Sequence, residues 1–187
     1  MMLFRYALLV MIAVVLNPKG SVVAAELPSA SGPVILTVTG KIEHTNRPAF
    51  NAFDDAFTNF HERQFQNAAE FDVAMLEGLG MREVEVNYEP WPRPVRLAGP
   101  LLADVLDLVG ATPSSLTVLA LDGFAVELSP EDLANEAWIV AIKQDGELMN
   151  IGQRGPVWVV FDPGEDKTIV AEEEGIWPWA AFFIEVN

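Results

Sequence analysis

The side chains able to do chemistry in this chain are few and poorly paired. His44 and His61 show no His-x-x-x-His spacing, and there is no cysteine. A zinc or copper site therefore lacks both its thiolate and its paired-imidazole ligands, and each histidine reads as a surface or packing residue. No Gly-x-Ser-x-Gly elbow offers a serine for either histidine to activate. Phosphate-cradling glycine loops are missing as well. Carboxylates are plentiful at Asp54-Asp55, Glu131-Asp132 and Glu172-Glu173-Glu174. Adjacency in a solvated run gives neither the separation across a sugar ring nor the raised pKa that an acid and base pair needs. Asp162, Glu165 and Asp166 could offer oxygens to calcium, but the Asp-x-Asp-x-Asp-Gly order of a calcium loop is absent.

Tryptophan placement is the unusual feature. Of five tryptophans, Trp91, Trp177 and Trp179 lie beside or near proline in segments that read as loops. A rigid aromatic face on a loop suits stacking against a flat heterocycle or a sugar ring. It equally suits plugging a core from its edge. Both uses stay open at this point.

The elements that must position these residues follow from pattern. Val34 to Gly40 is β-branched and closed by glycine, a strand. From Pro48 to Leu79, Phe50, Phe53, Phe57, Phe60, Phe65, Phe71, Met75 and Leu76 recur mostly at three- and four-residue steps. This spacing predicts amphipathic helix in two pieces, stopped at Gly78 or Gly80, with the aromatic stripe packed into the core. Glu83 to Asn87 alternates as a strand, and the proline-rich run from Tyr88 to Pro94 is a loop carrying Trp91. Leu101 to Val109 is a short buried helix stopped by Gly110.

Leu116–Leu121 and Phe124–Leu128 flank Asp122-Gly123, a dipeptide suited to a type I′ hairpin turn. Ser129-Pro130-Glu131-Asp132 has the order of a helix start. Asp145-Gly146 repeats the hairpin logic between Trp138–Lys143 and Glu147–Ile151. Val157 to Phe161 is apolar without alternation, a strand buried on both faces. Asp162 to Glu174 is a solvated loop or edge, and Ala181 to Val186 is a last strand. Strands dominate without a regular βαβ rhythm, so the fold class is α+β.

The ends and the charge bound the setting. Met1 to Arg5, an apolar run from Tyr6 to Leu16 and small residues up to Ala25 follow the order of a signal peptide. The run is about half of the roughly 20 residues that span a bilayer, so a permanent anchor is the weaker reading. Cleavage after Ala25 would leave 162 residues in the periplasm or secreted, with no membrane insertion, and the absent cysteine excludes a lipoprotein. Residues 26–33 read as a flexible leader and 34–187 as one domain. Nine Lys and Arg would then face 27 acids, a formal charge of −18, with no basic cluster. Nucleic acid and anionic headgroups are thus excluded as partners.

The order of signals from Val34 onward resembles the sulfite oxidase-like molybdopterin-binding domain family in its small exported form. The motifs are Thr39-Gly40-Lys41-Ile42, Phe71-Asp72-Val73-Ala74-Met75-Leu76, Pro90-Trp91, Leu97-Ala98-Gly99-Pro100-Leu101-Leu102-Ala103-Asp104-Val105-Leu106 and Val109-Gly110-Ala111. They continue through Ala120-Leu121-Asp122-Gly123-Phe124, Asp145-Gly146-Glu147-Leu148-Met149 and Gly155-Pro156-Val157-Trp158-Val159-Val160-Phe161. The resemblance implies an α+β sulfite oxidase-like fold with a pterin cleft. Catalytic members hold molybdenum through a cysteine thiolate, a soft ligand this chain lacks. What it then implies is no molybdenum and no oxidoreductase chemistry of the usual kind. The ligand would be a pterin or molybdopterin-like molecule, and the role that of a sensor for a membrane-bound cyclic-di-GMP signalling protein. The residues to hold the pterin would be Trp91, Asp122, Phe124, Arg154, Trp177 and Trp179. The alternative is a ligand-free protein-interaction module on the same fold; a molybdopterin-dependent oxidoreductase ranks below both.

Overall fold

The last strand of the chain is the one around which the others assemble. In the computed structural model, which describes residues 27–113, 115–164 and 167–187, Ala181–Val186 lies in the middle of a five-stranded sheet. Numbered in chain order, the strands are β1 (Leu36–Gly40), β2 (Ala68–Phe71), β3 (Arg82–Tyr88), β4 (Val95–Gly99), β5 (Leu116–Ala120) and β6 (Ala125–Leu128). They continue with β7 (Trp138–Ala141), β8 (Lys143–Gln144), β9 (Glu147–Leu148), β10 (Trp158–Phe161), β11 (Thr168–Ile169) and β12 (Ala181–Val186). The short helices are α1 (Ala56–Phe60), α2 (Val73–Gly78), α3 (Leu102–Leu108), α4 (Pro130–Asn135) and α5 (Ala171–Glu174).

One sheet has the order β2-β1-β12-β5-β6, a second β11-β3-β4-β8-β9, and β10 pairs with β7 as a two-stranded ribbon. β12 runs parallel to β1 and antiparallel to β5, so Phe183, Ile184 and Val186 are buried from both sides. The ribbon is apolar at every position, from Trp138 to Ala141 and from Trp158 to Phe161, and all eight residues are buried. That is the burial expected of the non-alternating run at 157–161, here reached in an antiparallel pair. The α+β class holds, although β1/β12 and β3/β11 are parallel pairs. The signal peptide and its cleavage site lie outside the described residues, as do Glu165 and Asp166.

The two helical pieces expected over 48–79 do form, the second ending at Gly78, but they are much shorter than the spacing predicts. Between them, Ala68–Phe71 pairs with β1 from Leu36↔Phe71 to Thr39↔Ala68, because the open edge of β1 offers more backbone hydrogen bonds than a lone helical turn. What remains helical is five residues of α1 and six of α2. The aromatic stripe is correspondingly divided. Phe65 and Phe71 enter the core, whereas Phe53, Phe57 and Phe60 are exposed. Glu62, at φ 57°, ends α1; its N–H donates to the Asn59 carbonyl and that of Arg63 to Thr58, a Schellman arrangement with glutamate where glycine is usual. The proline run at 90–94 conceals β4, which pairs with β3 from Arg82↔Gly99 to Val86↔Val95.

The segment expected to be a flexible leader is tied down from Leu27 onward. Leu27 is buried in the main core. Asn46 donates to the Pro28 and Glu70 carbonyls and accepts from Glu70 N–H at 2.7 Å, stitching this segment to the edge of β2. Asp72 does more, because one carboxylate serves two segments. Its Oδ1 caps α2 by accepting from Met75 N–H at 2.9 Å, while Oδ2 accepts from the Ser31 and Gly32 N–H groups at 2.7 Å each. These hydrogen bonds, Met75 first and then Gly32 and Ser31, hold the Asp72 carboxyl down at about 2 against the opposing effect of burial.

Two predictions follow from packing and linkage. A Cβ on Gly99 would collide with the Val140 carbonyl oxygen, whereas one on Gly78 meets nothing within 4 Å. Gly99→Ala should destabilise by about 2–4 kcal/mol and Gly78→Ala should stabilise by about 0.5–1 kcal/mol, measured by urea unfolding. Because the Asp72 pKa is lowered from 3.8 to about 2, its contribution is present above the unfolded value and is lost as pH falls through 2. The melting temperature of Asp72→Asn should therefore lie below wild type by a constant interval above pH 4 and converge with it toward pH 2.

Candidate functional site

Three segments that are remote in sequence meet at the peptide groups of Ala180. Its N–H donates to the Arg154 carbonyl at 2.8 Å, and its carbonyl accepts from Leu121 N–H at 2.9 Å. The residue itself sits at φ 54°, in the left-handed region that alanine rarely enters. The turn at Ala180 thus binds the Trp177–Trp179 segment to the loop before β10 on one side and to the β5–β6 hairpin on the other. Trp158 secures the same segment from below, its indole N–H donating to the Trp177 carbonyl at 3.2 Å.

The hairpin tip differs from the expected type I′ turn. Asp122 keeps a negative φ and only Gly123, at φ 91°, is left-handed. The Ala120 carbonyl accepts from Gly123 N–H at 3.0 Å and Ala120 N–H donates to Phe124 at 2.8 Å. This is a three-residue loop built on a type I turn with a left-handed glycine. The Asp122 carboxylate accepts from Phe124 N–H at 3.0 Å, which fixes the side chain across the tip. The I′ geometry occurs instead at Asp145-Gly146, both with positive φ, between β8 and β9. There the Asp145 carboxyl is held at about 2 by hydrogen bonds from Arg93 and then the Arg96 N–H.

Four of the six nominated residues line one cleft of about 250 Å³: Asp122, Phe124, Trp177 and Trp179, with Glu174 and Gly175. Trp179 is 45% exposed and also borders an adjoining polar cleft of about 630 Å³ that contains Arg154, Gln144, Asn150 and Gln153. Trp179 and Glu174 are the shared wall. Arg154 lies over two indoles, 4.9 Å from the Trp158 ring centroid and 5.2 Å from that of Trp91. No carboxylate pairs with it among the described residues.

Trp177 and Trp91 take different places. Trp177 is 1% exposed, edge-on to Phe161 at 5.0 Å and to Trp158 at 6.4 Å, so it packs the cleft floor and offers no free face for stacking. Its buried indole N–H has no acceptor among the described residues. Trp91 is half-buried against Tyr88 and Trp158, and it meets the site through Arg154. For these two, the core-plugging use of a loop tryptophan prevails.

Both histidines lie away from the clefts: His44 packs near Gly110 and His61 among Phe57, Phe60 and Phe182. No cluster of three His, Asp or Glu able to hold a metal occurs among the described residues. What the site offers is one exposed indole, one guanidinium without an ion pair among the described residues, three carboxylates (Asp122, Glu147 and Glu174) and several amide side chains. Gln144, Asn150 and Gln153 escaped the sequence reading because amide side chains at these positions carry no spacing signal, and Glu174 was read there only as one of a solvated acidic run. Ala180 gave no signal either, since only its backbone conformation makes it special.

No protein-family model matches the chain, and no curated protein matches it.

Ala180 yields a direct test of the junction. A β-branched side chain is a poor occupant of the left-handed region and glycine a good one. Ala180→Val should cost about 2 kcal/mol or more, while Ala180→Gly should fall within about 1 kcal/mol of wild type, both read from chemical unfolding.

Proposed function

We propose that this chain is an exported, non-catalytic pterin-binding protein of the sulfite oxidase-like fold, acting as a sensor or regulatory partner of a membrane-bound cyclic-di-GMP signalling protein. One observation carries the ligand reading: Trp179, Arg154 and Asp122, nominated from separate motifs, lie on adjoining clefts joined through Ala180. A pterin is flat and has a hydrogen-bonding edge with both donors and acceptors. The exposed face of Trp179 suits the ring. The Asp122 carboxylate can accept from its amino and ring N–H groups, and Arg154 can donate to its carbonyl or to a side-chain phosphate.

The donor set does not fit molybdenum. The metal beside a pterin dithiolene takes a soft thiolate, and the chain has no cysteine. The hairpin tip reads Asp122-Gly123-Phe124 where small members of the family carry Asn-Asp-Tyr, which leaves a carboxylate for recognition and removes a hydroxyl. A second reading, an interaction module that needs no ligand, is favoured by phenylalanines exposed on the turn before α1 and on α1 itself.

Purified full chain titrated with oxidised and reduced pterins should show saturable quenching of tryptophan fluorescence at micromolar ligand. Trp179→Ala and Arg154→Ala should each weaken binding roughly tenfold, the order expected for loss of one stacking or charge-assisted contact. A flat titration of the wild-type protein sinks the reading.

A further inference from the structure

Phe53 and Phe60 are 88% and 78% exposed, and Phe57 and Phe124 are each about half exposed. Solitary exposed phenylalanines need no explanation, but these belong to one surface. Phe57 stacks edge-on to His61 at 4.7 Å and lies 5.0 Å from Phe182, while Phe60 lies 5.3 Å from His61. The His61 ring in turn packs beside Gly123, so the platform reaches the hairpin tip that bears Phe124. Phe53 lies in the turn four residues before Phe57, its N–H donating to Asn51 Oδ1 at 2.9 Å. Phe57 and Phe60 are therefore held on a built support rather than on a loose loop.

The charges around this surface are one-sided. Arg47 is neutralised by Asp55 and Glu70, and Arg63 by Glu185 at 3.3 Å. Asp54 and Glu62 are exposed and make no ion pair among the described residues. Exposed phenyl faces rimmed by unpaired carboxylates favour cations next to apolar groups, through cation–π and ion-pair contacts together. A second copy of the chain would bring the same acids against each other across a two-fold contact. Anionic lipid headgroups meet the same repulsion from a chain of formal charge −16.

We propose that Phe53, Phe57, Phe60 and Phe124 form a docking surface for a segment of a partner protein in which arginine or lysine alternates with apolar side chains. Phe124 is shared with the small cleft, but Phe53 and Phe60 line neither cleft, so substitutions there leave the pterin site intact.

The test uses the full chain and an eight-residue fluorescent peptide of alternating Arg and Leu, with a Glu and Leu counterpart as control. Saturable binding of the Arg peptide alone is expected, weakened roughly tenfold by Phe53→Ser/Phe60→Ser, as for loss of central aromatic anchors. That double substitution changes no charge and removes only exposed rings, so binding that rests on net charge alone would survive it. Near-ultraviolet circular dichroism and the pterin titration should be unchanged in the variant, which separates failure here from failure of the ligand reading. Equal binding to wild type and variant, or no binding of the Arg peptide, overturns the proposal. So does a wild-type dimer in sedimentation that the double substitution dissolves, or co-sedimentation with phosphatidylcholine vesicles that it abolishes.

Discussion

The candidate site is assembled by a backbone junction centred on one residue in an uncommon conformation. With φ at 54°, Ala180 turns the chain so that its N–H faces the loop before β10 and its carbonyl faces the β5–β6 hairpin. The turn works with the adjoining bonds from Ala181 N–H to the Val157 carbonyl at 2.8 Å and from Val159 N–H to the Pro178 carbonyl at 3.1 Å, which together hold the segments bearing Trp179, Arg154 and Asp122 in register. A left-handed alanine costs on the order of 1–2 kcal/mol, and such a cost persists only where the surroundings over-determine it. Here they do: Ala181 enters β12 immediately afterwards, and the Trp177 carbonyl is held by the Trp158 indole.

The rigidity beneath the site comes from the apolar ribbon of β7 and β10. Trp158 is fully buried, and its neighbours Trp91, Trp177 and Phe161 form a connected aromatic group under Arg154. A guanidinium laid over two indoles keeps its charge while much of its surface leaves water. Although Glu147 and Glu174 line the same cleft, Arg154 makes no ion pair with either among the described residues. Its supports are aromatic, so its N–H groups stay available to something other than the protein's own acids.

The β5–β6 hairpin tip gives the molecule its organisation. Asp122 and Phe124 line the small cleft with Trp179, while Gly123 packs beside His61 and so brings the tip, with Phe124, to the phenylalanine platform. A compact three-residue loop, cross-braced by the Asp122 carboxylate, lets one turn serve both surfaces.

Much of the framework was legible in the sequence, and the reason is local. β1, β3, α3, α4, β12 and the buried strand β10 announce themselves through β-branched runs, caps and glycine stops, signals carried within a few residues. Ser129 and Asp132 indeed form a reciprocal capping box at the start of α4. The stretch from Pro48 to Leu79 misleads because its phenylalanine spacing mimics longer helices, while the edge of β1, far back along the chain, claims Ala68–Phe71. The sequence by itself determined the chemistry that is possible: no thiol, two unpaired histidines, an acidic surface and tryptophans near prolines. Only the tertiary structure decided which tryptophan faces outward, that Arg154 escapes the acids, and that Asp122 and Trp179 share a wall. Those are distances between segments far apart in the chain, set by strand pairing and by the backbone turn at Ala180, and spacing along a sequence carries no record of them.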